Sequence, residues 1–84
     1  MSDSVSLDRL APGEVGRVLS LDSEGPERRR LMDLGIVPGV QVRAALRSPL
    51  GDPTAYEVRG ALIALRREQA ARITVKLLEA SSDA

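Results

Sequence analysis

Residues 40–67, VQVRAALRSPLGDPTAYEVRGALIALRR, carry three strand signals in a row within a chain of 84 residues. In the first, Val40, Val42, Ala44 and Leu46 fall on one side while Gln41, Arg43 and Arg47 fall on the other, the period-two pattern of a half-buried strand. SPLGDP (48–53) is turn chemistry throughout. TAYEVRG and ALIALRR then form a hairpin that pivots at Arg59 and Gly60, with Tyr56 and Val58 facing one way and Ile63 and Leu65 placed to join the core.

The flanks continue the pattern. REQAA (67–71) is a short turn, and in the RITVKLL that follows, Ile73, Val75 and Leu77 alternate with Thr74 and Lys76. On the N-terminal side, PGEVGRVLSLD (12–22) is a strand of imperfect alternation, with Val15, Leu19 and Leu21 on one face and Val18 on the other. Gly16 points to a bulge nearby.

From about Pro26 to Leu34 the period changes to that of a helix, with Leu31, Met32 and Leu34 on one arc and Arg29 and Asp33 opposite. Gly25 or Ser23 is placed to cap its start, Pro26 suits the first turn, and Gly35 is the left-handed residue expected past the end, before the Pro38–Gly39 turn. At about two and a half turns this helix cannot stand alone, so its apolar arc must cover something. Five short strands and one covering helix predict a mainly β fold, a small and partly open barrel. Asp33 occupies the end of the helix where the macrodipole disfavours a carboxylate, which predicts that it fastens helix to barrel through a loop N–H or an arginine.

One domain spanning 1–84 is expected, with a core from about 5 to 78 and polar tails at 1–4 and 79–84. The chain has no cysteine, no histidine and a single aromatic residue, Tyr56. Disulfides, thiolate metal sites and the common nucleophile–base pairs are therefore unavailable, and no catalytic, cofactor or metal residue is assigned. Asp22 and Glu24 flank the helix start as solvated acids. No phosphate-binding glycine loop occurs, and no apolar run is long enough for a membrane helix. Twelve basic and twelve acidic residues are interspersed and cancel, which argues against nucleic acid as a partner.

The order of motifs, with L-x-D-L-G-x-x-P-G at Leu31–Gly39, P-L-G-D-P at Pro49–Pro53 and R-G-x-x-I-A-L-R at Arg59–Arg66, resembles the ferrous iron transport protein A (FeoA) family over about Gly13 to Val75. The resemblance implies an SH3-like β-barrel that works in the cytoplasm as a non-enzymatic accessory of ferrous iron uptake. Its implied partner is the FeoB-type membrane permease with a cytosolic GTPase domain. Similar motifs accompany the C-terminal domain of iron-dependent repressors of the diphtheria-toxin-repressor type. A chain that starts at its own Met1, without a DNA-binding domain before it, fits the accessory protein better.

Contact candidates follow from position: Arg28 and Arg29 on the helix, Arg43 and Arg47 on the outward face of the strand at 40–47, and Leu50 and Tyr56 around the SPLGDP turn. Leu50, apolar at the tip of that turn, is covered either by a partner or by the barrel's own open end. Gly35, Pro38, Gly39, Gly51 and Gly60 are expected to shape turns rather than to bind. Strand edges in a partly open barrel are also able to pair with another copy.

Overall fold

In the computed structural model, which describes residues 4–78, the strand–turn–hairpin series is present and one further strand precedes it. The strands are β1 (Ser4–Ser6), β2 (Val15–Leu21), β3 (Gln41–Arg47), β4 (Thr54–Val58), β5 (Ala61–Leu65) and β6 (Ile73–Leu78). They make one antiparallel sheet in the order β1-β6-β2-β3-β4-β5, with β1 and β5 as its two edges. The fold is mainly β as expected, with six strands rather than five among the described residues, and the sheet, not closed by strand pairing, accords with the partly open barrel expected.

The extra strand was invisible to periodicity because it is three residues long. Val5 pairs with Val75, and Ser4, which was assigned to the tail, pairs with Lys76. What holds it is the 3-10 turn Leu7–Arg9 that follows: Leu7 is fully buried, and Leu10, just past the turn, is 1% exposed. These side chains join Val18, Ile36, Val42, Val58, Leu65, Ile73 and Val75 in one core.

Two bulges change which residues reach that core. β2 opposes Val18 to Val75 and Ser20 to Thr74, leaving Leu19 as the extra residue. The strand does carry a bulge, at Leu19, three residues after Gly16, and it turns Val18 and Leu21 inward while Leu19 is exposed. β3 opposes Ala44 to Tyr56 and Leu46 to Ala55, with Ala45 extra. Val42 and Ala44 are buried as expected, whereas Leu46 is turned out.

The helix, α1 (Gly25–Asp33), starts one residue earlier than expected, and its N-cap is Glu24, whose side chain makes no capping bond. Its end is a Schellman closure: the Ile36 N–H donates to Leu31 O at 3.0 Å, the Gly35 N–H donates to Met32 O at 3.0 Å, and Gly35 has φ +100°. The closure buries Ile36 beside Leu31, which alone of the apolar arc is buried; Met32 and Leu34 are exposed, against expectation. The REQAA turn is a single helical turn, α2 (Arg67–Ala70).

Candidate partner-docking surface

Ser48 to Gly51 forms a turn with Pro49 at its second position, closed by the Gly51 N–H donating to Ser48 O at 2.8 Å. The turn is tied at both ends. The Ser48 N–H donates to Pro53 O at 3.1 Å, and the Asp52 carboxylate accepts the Arg67 N–H at the start of α2 at 2.8 Å. Leu50 is held on this frame at 91% exposure, so the reading in which it folds back onto the barrel's open end is excluded. An isobutyl group presented by a braced turn is a ready contact for another surface.

Arg47 does not share a face with Arg43. The Ala45 bulge shifts the register so that Arg47 pairs with the buried Thr54, on the inner side of the sheet, and its guanidinium donates to Leu10 O at 3.3 Å. It lines a cleft of about 250 Å³ with Asp8, Gly51, Thr54, Tyr56 and Arg67. Tyr56, expected among the contact residues, is only 2% exposed; its ring belongs to the core because Ala44 and Ile63 are its cross-strand partners. Burial pushes the Tyr56 hydroxyl above its ordinary pKa of 10.0, with the Thr54 side chain opposing and Asp8 reinforcing the shift.

Arg43 stays on the outer face, where its Nε donates to Glu57 Oε1 at 2.9 Å. Both side chains are well exposed, so this pair contributes well under about 1 kcal/mol. Arg28, half-buried, and Arg29, exposed, line a shallow groove with Gly25, Met32 and Asp33. Five of the six expected contact residues thus fall in three separate grooves, and Leu50 lines none of the three.

Asp33 is exposed and makes no side-chain hydrogen bond or ion pair among the described residues, so it is not the expected fastener. The Schellman closure caps the helix end with backbone groups, and the buried Leu31 and Ile36 side chains join that end to the core. Among the described residues no three acidic side chains gather as a metal site, and no helix is long and apolar enough to cross a membrane. Missed in the sequence were Asp8 and Arg67 in the cleft and the exposed Leu46 and Leu62. The run ALIAL, apolar at every position, was the one available signal for Leu62, since a strand buried on one face should show a polar side.

A model of the FeoA domain matches residues 5–77. A Porphyromonas gingivalis protein described as an Fe(2+) transport protein A/Fe(2+) transporter FeoB fusion is 30% identical over 76 residues, which is 90% of this chain but only 9% of that protein. Among solved structures, the FeoA protein of Chlorobium tepidum is 38% identical with a TM-score of 0.85, over 93% of this chain and 74% of that one. Stenotrophomonas maltophilia FeoA, described as an SH3 domain protein, is 31% identical with a TM-score of 0.75, over 84% and 88%. A manganese-dependent transcriptional repressor has a TM-score of 0.81 at 20% identity, over 93% of this chain and 44% of that one, a likeness that shows the fold alone.

Proposed function

Because this chain belongs to the FeoA family, we propose that it is a non-enzymatic, cytoplasmic accessory of ferrous iron uptake that docks on the cytosolic part of a FeoB-type GTPase-permease. The observation that carries this reading is the relative described as one chain of transport protein A and transporter FeoB. Covalent fusion holds two modules at high effective concentration; where they are not joined, a docking surface must do the same work.

Leu50 is the centre of the proposed contact, for it is the most exposed large apolar side chain among the described residues and sits on a turn braced by backbone hydrogen bonds. Arg47 flanks the same turn, and Arg28, Arg29 and Arg43 supply cationic contacts on two other faces. Tyr56 is omitted because it is buried. A repressor-domain role has only fold likeness behind it.

The test is a binding titration against the isolated cytosolic GTPase domain of such a permease, in its GDP and GTP-analogue states. Saturable binding is expected, and Leu50→Glu should weaken it at least about tenfold while leaving the melting temperature unchanged, as at other exposed positions. No saturable binding in either nucleotide state overturns the reading.

A further inference from the structure

β5, Ala-Leu-Ile-Ala-Leu, contains no charge, proline or glycine and lies at the edge of the sheet. Its pairing with β4 runs without a bulge from Thr54–Leu65 to Val58–Ala61. Among the described residues, no backbone hydrogen bond outside that ladder engages residues 61–65, so the outward half of its N–H and C=O groups has no protein partner. Sheet edges are normally blunted by lysine, proline, a bulge or shortness, and β5 has none of these within it.

The outer face beside this edge is apolar. Cross-strand partners place Leu46, Ala55 and Ala64 in one row and Arg43, Glu57 and Leu62 in the next. Leu46 is 67% exposed and Leu62 64%. A strand added to β5 would set its own side chains against Leu62 and Ala64, with Leu46 and Ala55 continuing the apolar surface.

The ends of the edge are net basic: Glu57, two residues before Arg59, is paired with Arg43, and Glu68 follows Arg67. Arg59 stands at one end and Arg66 and Arg67 at the other, all exposed, without an ion-pair partner among the described residues, and no acid lies between them. In a two-fold antiparallel pairing of two copies, Ile63 would face Ile63, bringing Arg59 of each copy toward Arg66 and Arg67 of the other. Three arginines to one glutamate, Glu68, would then gather at each end, a net like-charge contact that selects against a second copy.

We propose that the outer edge of β5 is a strand-addition site for an extended segment of a partner protein, apolar in its middle and acidic at both ends. Backbone hydrogen bonds supply the affinity and the arginines set the orientation and choice of segment. This site stands independently of the transporter reading, since it rests on an edge and its charges and not on family membership.

The probe is an acetylated, amidated peptide, Asp-Asp-Val-Thr-Val-Thr-Val-Asp-Asp, titrated into the full chain, with a control peptide bearing lysine in place of each aspartate. Backbone amide shifts should map binding to residues 61–65, and the lysine peptide should bind about tenfold more weakly. Arg59→Glu/Arg66→Glu/Arg67→Glu should invert that preference; if this variant does not fold, the two peptides on the unmodified protein decide. The proposal is overturned by absence of binding, by equal affinity for both peptides, or by shifts that map elsewhere. Arginines acting only as guards against aggregation would give the first of these results. Sedimentation showing that the unmodified chain pairs with itself through β5 would also overturn it.

Discussion

Gly16 in β2 passes so close beneath Val75 of β6 that a Cβ at position 16 would lie 2.7 Å from Val75 Cγ2 and 2.9 Å from its Cβ. Leu10 Cδ1 stands on the same spot at 3.5 Å. The glycine is required for lack of a side chain and not for an unusual φ, and its absent Cβ lets β2 and β6 close over the core.

Gly16→Ala is therefore expected to destabilise by about 1–3 kcal/mol, the usual cost of overpacking, although alanine in place of glycine ordinarily stabilises a strand. Urea unfolding measures it. Adding Val75→Ala to Gly16→Ala should cost less than the sum of the two single changes, since the same methyl groups collide. Additive costs would show that the contact with Val75 Cγ2 is not the cause, since Val75→Ala keeps the Cβ that lies 2.9 Å away.

The helix is anchored at one point. Leu31→Ala should cost about 2–5 kcal/mol, as for other fully buried leucines, whereas Met32→Ala and Leu34→Ala should each stay within about 1 kcal/mol of the parent. Equal losses at all three, read from denaturant midpoints, would mean that the whole apolar arc is buried.

Asp33 bears its charge one residue before the C-cap with no partner among the described residues. Asp33→Asn removes an unfavourable charge–dipole contact and is expected to leave stability unchanged or raise it by roughly 0.3 kcal/mol at low salt, the small end of the helix-dipole range for an exposed site. Salt should erase the gain. A loss of stability would restore the fastener role.

Tyr56 is the only aromatic residue, so alkaline absorbance reports it alone. Its folded pKa lies above the unfolded value of about 10, which means that the folded chain holds the phenolic proton more tightly. Its contribution to stability is fully present below pH of about 10 and is lost as pH rises toward the folded pKa. Spectrophotometric titration of the native protein should give a midpoint above that of the urea-unfolded chain, and Tyr56→Phe should flatten the stability profile over that interval.

Much of the fold was legible because it rests on local chemistry. Arg59 and Gly60, both at positive φ, make the two-residue turn expected between β4 and β5, and Gly39, at φ +97° after Pro38, makes the turn into β3. Gly35 ends α1 as its position implied. Each is dictated by the conformational range of one or two residues.

The misassigned strand faces share one cause. Leu21, Leu46 and Arg47 were assigned to faces by counting in twos, and an inserted residue at Leu19 or Ala45 reverses the count for everything after it. Of the expected contact residues, Leu50 could be singled out because an apolar residue amid turn formers has no local reason to be there. Tyr56 could not be placed, because only its cross-strand neighbours decide whether a tyrosine on a strand faces core or solvent.

The sequence by itself determined the element types, the turns and the placement of Leu50 at a turn tip, all set by backbone preferences that act over a few residues. Tertiary structure alone decided that Leu7 and Leu10 enter the core, that Leu31 rather than Met32 or Leu34 anchors the helix, and that β5 is left as an edge with arginines at both ends. Those outcomes depend on which distant strands meet, and strand pairing is won by the register that buries the most apolar surface across the whole sheet, a quantity that no single segment contains.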